Sequence, residues 1–196
     1  MIDTFQLADG KVRASQRLLL PVLPEMEGVV ASRLATRNAG HLVDDYTRYI
    51  AWWTWGLVRP ARRRGDLALS LGGHGPTILR LRISEGATGG INAVVAVLSI
   101  VGGLAAVAAS PGGLLELRLA LHSGASSGNA VLEAEVLVEQ YAPFLLALPL
   151  PHAIRLAIYR GTQARLHRAI AEGFVRSVVA QIVNECGTTH HFARTY

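Results

Sequence analysis

The chain has 196 residues, of which 51% are hydrophobic and 17% are charged. This length suits one domain or at most two small ones, and the composition excludes an intrinsically disordered chain. The net charge is +5, and every basic residue except Lys11 is an arginine. Arginine suits phosphate and carboxylate partners, but charge spread along a chain is also typical of GC-rich codon usage, so the charge alone identifies no ligand.

The single cysteine, Cys186, excludes an intramolecular disulfide and is compatible with a reducing compartment. The first ten residues include an acid and no long apolar run, so neither a secretory signal nor a transit peptide is visible. We therefore expect a cytoplasmic protein. The mean hydropathy of +0.32 keeps a membrane segment or a large self-association surface as alternatives.

The N-terminal part is predicted to contain one hairpin and two helices. Residues Thr4 to Arg13 alternate around Asp9-Gly10, a dipeptide typical of tight hairpin turns. Glu25 to Arg37 predicts a short helix with acids in its first turn, and Leu42 to Val58 predicts a second one.

The second predicted helix has one stripe expected to face the core, formed by Leu42, Tyr46, Tyr49, Ile50, Trp53 and Leu57. Outside this stripe lie two tryptophans, and an arginine run follows them. We expect an interaction surface made of Trp52, Trp55, Arg59, Arg62, Arg63 and Arg64. A contact between subunits, single-stranded nucleic acid and a membrane interface are the three partners that such a surface suits.

Two pairs of period-two segments predict antiparallel hairpins. Asp66 to Leu71 and Ile78 to Ile83 form the first pair, joined by a Gly- and Pro-rich turn. Leu115 to Leu121 and Val131 to Val138 form the second, with acids and an arginine on the outward positions.

A glycine-rich turn lies between the hairpins, where a predicted strand meets a predicted helix. Gly86, Thr88, Gly89 and Gly90 belong to this turn, and its backbone N–H groups would suit a phosphate at a helix N-terminus. Over six residues the letters resemble the glycine-rich turn of short-chain dehydrogenases. Asn92 stands where that pattern has its third glycine. The turn is a candidate site for a nucleotide or another phosphorylated small molecule.

The most apolar segment follows directly, because Ile91 to Ala109 contains no charged residue. As a helix it would be about 29 Å long, which is close to the thickness of a bilayer core. Gly102-Gly103 interrupts it, and amphipathic strands are predicted on both sides. We expect a helix buried on all sides, with a membrane span as the alternative.

The C-terminal part is predicted to hold a strand at Ile154 to Ile158 and a long amphipathic helix from Thr162 to Asn184. In that helix apolar residues recur every four positions from Leu166 onward. The tail contains Cys186, His190 and His191, but no second cluster of ligands accompanies them, so we expect no metal site.

These elements predict a single α+β domain over 1–196, with an N-terminal hairpin and helical part at 1–64 and a sheet and helix core at 65–196. The expected fold is an antiparallel sheet of two hairpins packed against an apolar central helix and a long C-terminal amphipathic helix. We expect a non-catalytic interaction or assembly protein that forms a homo-oligomer and needs no cofactor. The alternatives are a phosphorylated ligand at the Gly86 turn and single-stranded nucleic acid at the Trp/Arg segment.

Overall fold

A computed structural model describes residues 1–8, 11–63, 66–84, 92–106, 112–123 and 129–185. Within these ranges eight strands form one antiparallel sheet, in the order β1-β2-β8-β7-β6-β5-β4-β3. The strands are β1 (Ile2–Ala8), β2 (Lys11–Val22), β3 (Val58–Arg63), β4 (Asp66–Leu71), β5 (Thr77–Ile83), β6 (Ala93–Gly102), β7 (Gly113–His122) and β8 (Ala130–Tyr141). The helices are α1 (Pro24–Ala35), α2 (Ala39–Trp53), α3 (His152–Gly161) and α4 (Gln163–Glu185), and Phe144–Ala147 forms a short 3-10 helix. The predicted α+β class and the long C-terminal helix are confirmed.

The predicted central helix is wrong, because β6 occupies this part of the chain. Its residues pair with β5 on one side and with β7 on the other. The run is rich in β-branched residues, which favour a pleated strand over a helix. Gly102 and Gly103, which looked like an interruption, end the strand at φ angles of 136° and 126°. The segment is apolar because it lies in the middle of a sheet. Among the described residues no helix is long and apolar enough to span a membrane.

One face of the sheet carries the core. Alternate residues of the central strands are buried on this face, including Ala96, Leu98, Leu117, Leu119 and Val136. The opposite face carries charged side chains, as the ion pairs Arg17–Glu133 and Arg13–Glu139 show. The alternation predicted for Leu115 to Leu121 is visible in β7, where Leu115, Leu117 and Leu119 are buried and Arg118 is exposed. The sheet has eight strands, instead of the four predicted in the two hairpins.

The helices lie against the buried face of the sheet. Helix α4 contacts β2 and β8 as well as α1, α2 and α3, while α2 contacts β3 and β6. The second half of α4 buries Phe174, Val178 and Ile182, which confirms the four-residue stripe there. At the start of the helix Leu166 is 45% exposed, so the stripe leaves the main core at that end.

Helix α2 ends earlier than expected, at Trp53 instead of Val58. Trp55 and Gly56 follow with φ angles of 56° and 76°, a left-handed pair that terminates a helix. The hydroxyl of Thr54 donates to the carbonyl of Ile50 and accepts from the backbone N–H of Val58. Leu57 thus lies outside the helix and is 68% exposed, so its predicted place in the core stripe is wrong.

The predicted strand at Ile154 to Ile158 is also wrong, since these residues belong to α3. A five-residue apolar alternation does not distinguish a strand from one side of a short helix. Pro151 lies just before the helix and Tyr159 is its buried residue. Helix α3 packs against α4 and against the short 3-10 helix.

Candidate functional site

The two tryptophans of the predicted interaction surface are exposed, Trp52 at 73% and Trp55 at 94%. Trp52 keeps one aromatic neighbour, the ring of Tyr49, at a centroid distance of 5.7 Å. Trp55 occupies the left-handed position at the end of α2, a conformation that is unfavourable for a bulky residue. Both side chains are exposed, but the helical stripe explains this only for Trp52, since Trp55 follows the end of α2.

The arginines of that surface lie on a strand, because β3 begins at Val58 and is an edge of the sheet. The guanidinium of Arg59 donates to the carbonyl of Gly56, 3.1 Å away. Arg62 forms an ion pair with Asp44 of α2 at 3.1 Å. Arg63 belongs to β3, and Arg64 lies outside the described residues. Arg62 is therefore already paired with an acid of its own chain.

The predicted phosphate turn at Gly86, Thr88, Gly89 and Gly90 lies outside the described residues. It connects β5 to β6, so the helix whose N-terminus would attract a phosphate is instead a strand. Cys186, His190 and His191 also lie outside the described ranges. Within the described part of the chain, no three His, Cys, Asp or Glu side chains are grouped as a metal site.

A cavity of about 890 Å³ lies between the sheet and the helices. Its floor is the buried face of the sheet, with Ala14 of β2, Ile100 of β6 and Val138 of β8 among the lining residues. Helix α2 contributes Tyr46 and Ile50 to the wall. A space of this size and apolar character is typical of a small-molecule site.

The cavity separates two parts of the core. The larger hydrophobic cluster lies beneath α1, α2 and the second half of α4, and a smaller one gathers around Val12, Tyr141 and Tyr159. Ile100 and Val138 pack partly against both clusters and also line the cavity. The cavity thus lies where a continuous core would otherwise join the two hydrophobic clusters.

A small polar group interrupts the apolar wall at the start of α4. The hydroxyl of Tyr141 donates to the carbonyl of Ala105, and the Gln163 side-chain Nε2 donates to the same carbonyl at 2.9 Å. Gln163 Nε2 also donates to the Tyr141 hydroxyl. Burial raises the pKa of Tyr141 well above its usual range, so this phenol stays protonated. Burial likewise raises the pKa of Tyr159 to about 12.

His167 lies one helical turn beyond Gln163. Its ring is 5.4 Å from the Tyr141 ring, and the residue lines the cavity, so part of its remaining surface faces the cavity. Burial lowers the pKa of His167 to about 4. The imidazole is therefore neutral at physiological pH, and this end of the cavity carries no charge from Gln163, Tyr141 or His167.

Charged residues occur nearer the surface of the cavity wall. Arg168 forms ion pairs with Asp3 of β1 at 3.1 Å and with Glu172 at 2.7 Å. Asp3 also accepts from the side-chain amide of Gln16 at 2.9 Å. The neighbouring Phe5 ring stacks on Tyr159 at 6.2 Å. Side chains of β1 therefore connect an edge of the sheet to α3 and α4 beside the cavity.

The cavity was not predicted from the sequence. Its polar residues come from separate parts of the chain, because Ala105 follows β6, Tyr141 ends β8 and Gln163 begins α4. One local signal was present: Gln163 and His167 stand four residues apart at the start of the helix, in line with the buried stripe. Polar side chains in that position indicate an interior that is not simply close-packed.

No protein-family model matches the chain, and a comparison with curated proteins found no match either. Among solved structures, an uncharacterised protein from Bacillus thuringiensis aligns with 83% of this chain and 98% of its own, at 10% identity and a TM-score of 0.32. Ara h 8.0201 aligns over 84% and 99%, at 16% identity and a TM-score of 0.31. A norcoclaurine synthase mutant from Thalictrum flavum, in complex with a transition-state analogue, aligns over 90% and 98%, at 9% identity and a TM-score of 0.29. Similarity at this level carries no argument about the function of this chain.

Proposed function

We propose that the protein binds an apolar small molecule in the cavity between the sheet and helices α3 and α4. The observation that carries this proposal is the volume of about 890 Å³, lined mainly by apolar side chains. Clefts of this size that are lined mainly by apolar side chains are typical binding sites, because water inside them finds few hydrogen-bond partners. A bound ligand would displace such water, and binding would stabilise the folded chain by mass action.

The floor of the cavity includes small or medium side chains such as Ala14 and Val138, and Val138 packs against both hydrophobic clusters. Larger residues at these positions would close the gap with the existing backbone. Exposed apolar residues of the lining, Leu104 at 59% and Phe144 at 48%, mark where the cavity meets solvent. An apolar ligand would therefore meet apolar side chains from the entrance inward.

The direct test is titration with N-phenyl-1-naphthylamine, a neutral probe that fluoresces strongly in apolar surroundings. We expect saturable micromolar binding by the wild-type protein, and a loss of at least about tenfold in the Val138→Trp variant, whose indole would occupy the floor of the cavity. Tenfold corresponds to about 1.4 kcal/mol.

Leu137→Trp is the matched control. Leu137 is the neighbouring residue of the same strand, and successive strand residues face opposite sides of the sheet. The control should bind the probe as the wild type does. Circular dichroism and urea unfolding check that both variants fold. An absence of saturable binding by the wild type, or equal affinities of the two folded variants, would refute the proposal.

A second candidate function is self-assembly through Trp52, Trp55 and Leu57, three exposed side chains at the end of α2. The 94% exposure of Trp55, held by a left-handed backbone, favours it. Burying a tryptophan removes about 150–250 Å² from water, and truncating an aromatic anchor of an interface costs about 2 kcal/mol or more. The Arg62–Asp44 ion pair lowers the charge available to phosphates, so a subunit contact is the better candidate than nucleic acid.

Sedimentation at several concentrations tests self-assembly. Trp55→Ala should shift an oligomer toward smaller species, whereas Arg62→Gln should leave its mass distribution unchanged. A wild-type protein that is monomeric throughout would contradict this candidate. If the monomer binds single strands with a steep salt dependence that Arg62→Gln weakens, the same surface is a nucleic-acid site.

A further inference from the structure

The cavity wall contains a buried hydrogen-bond acceptor, the side-chain oxygen Oε1 of Gln163, which has no partner within the part of the chain that the structure describes. Gln163 is 9% exposed and lines the cavity. A buried polar atom that loses its water without gaining a partner is unfavourable, and such atoms are rare in folded proteins. Gln163 is part of the cavity wall, so its amide lies next to a ligand bound there.

The hydrogen bonds around Gln163 determine which end of its amide is free. Nε2 faces both the Ala105 carbonyl, at 2.9 Å, and the Tyr141 hydroxyl, and donates toward this pair. The hydroxyl hydrogen of Tyr141 is used as well, because it donates to the same carbonyl. Exchanging the amide oxygen and nitrogen would place two acceptors, Gln163 Oε1 and the Ala105 oxygen, against each other. The open position therefore needs a donor from the ligand.

The surroundings determine the charge of that donor. Tyr141 stays protonated and His167 stays neutral, because burial shifts the pKa of each away from its charged form. A cationic group bound at Gln163 would thus lose water without gaining a counter-charge from these neighbours, which is costly in an apolar interior. A neutral hydroxyl provides one donor and avoids this cost.

We infer that the ligand is a neutral apolar molecule carrying a hydroxyl group, whose O–H donates to Gln163 Oε1 while its apolar body lies on the sheet floor. This inference rests on the proposed function and names the ligand class for the same cavity. Gln163 then determines specificity: it selects a hydroxylated molecule over one of the same shape that lacks a donor. Discrimination is strong in such cases because the molecule without a donor leaves the buried acceptor unpaired.

A matched pair of ligands tests the inference. Decan-1-ol and its methyl ether share the same chain, but only the alcohol has an O–H. In competition with N-phenyl-1-naphthylamine, we expect the alcohol to bind about tenfold more tightly than the ether to the wild-type protein. Gln163→Met, of similar length and without the acceptor, should reduce this ratio to about one while the probe still binds.

Gln16→Met is the matched control, because Gln16 is another buried glutamine of the cavity wall and its amide donates to Asp3. It should preserve the alcohol-to-ether ratio. Equal affinities of alcohol and ether for the wild type would overturn the inference. This result is obtained with the wild-type protein alone, so it does not depend on whether the variants fold. A ratio lost in Gln16→Met and kept in Gln163→Met would overturn the assignment to Gln163. If the wild type does not bind the probe at all, the proposed function itself fails.

Discussion

Gly173 of α4 permits the close packing of α2 against α4, and replacing it with alanine tests that contact. A Cβ at this position would overlap the hydroxyl oxygen of Tyr49 and lie 2.9 Å from its Cζ atom. The centre of the Tyr49 ring lies 6.0 Å from that of the buried Phe174 and 5.7 Å from that of the exposed Trp52. Gly173→Ala therefore requires a shift of the ring or of the helix.

The size of the effect follows from two opposing contributions. Glycine to alanine in a helix interior stabilises by about 1 kcal/mol, whereas overpacking of a well-packed site costs about 1–3 kcal/mol. Because the added Cβ would overlap one atom of the ring and crowd a second, and because the ring packs against the buried Phe174, we expect the larger cost and a net destabilisation of about 1–2 kcal/mol. For a chain of this length that lowers Tm by about 2–8 °C.

Urea unfolding followed by circular dichroism measures the difference, and Gly28→Ala is the matched control. Gly28 is an exposed position of α1 where a Cβ would meet nothing within 4 Å, so that variant should be stabilised by about 0.5–1 kcal/mol. Adding Tyr49→Phe to Gly173→Ala removes the overlapping oxygen and should recover part of the loss. Equal stabilisation of the Gly173 and Gly28 variants would refute the close contact.

Variants at three further positions test other parts of the fold. His167 takes up a proton near pH 6.5 in the unfolded state but only near pH 4 in the folded state. As the pH is lowered from about 6.5 to about 4, the free energy of unfolding should therefore decrease by at most about 3 kcal/mol. Urea unfolding at several pH values should show a smaller decrease for His167→Gln. Gly103→Ala should cost about 2 kcal/mol or more, because φ is 126° and a Cβ would lie 2.7 Å from the Ile78 carbonyl carbon; an unchanged Tm would contradict this. Asn38 caps α2 by accepting from the backbone N–H of His41 at 3.0 Å, so Asn38→Ala should lose about 1 kcal/mol and Asn38→Ser should retain most of it.

The local patterns predicted the hairpins and the amphipathic helices because each of these depends on residues close in sequence. The hairpin of β4 and β5 and the helix α4 both appear near the expected positions. Ile91 to Ala109 was misassigned because a strand in the middle of a sheet lacks the polar alternation that reveals an edge or a half-exposed strand. In this case the β-branched residues were a better guide than the absence of charge.

The cavity could not be predicted in the same way, since it depends on where side chains distant in sequence fail to fill space. Gln163 and His167 were visible as polar residues, but their shared wall with Tyr141 and Ala105 arises from the packing of α4 against the end of β8. The exposure of Trp52 was predictable from helical spacing, because it depends only on the direction of neighbouring side chains. Trp55 lies beyond the end of α2, so its exposure has a different origin from the one that the spacing indicated.

The edge strand β3 has a consequence for association between sheets. Unpaired backbone groups at an edge invite another chain to add a strand, which leads to aggregation. Pro60 removes one backbone N–H from β3, and Arg59 and Arg62 add charge beside it. If a second copy of the protein paired with this edge through its own β3, the arginines of the two strands would lie close together and repel each other. The arginine run that first suggested a polyanion partner therefore also protects the sheet from edge-to-edge growth.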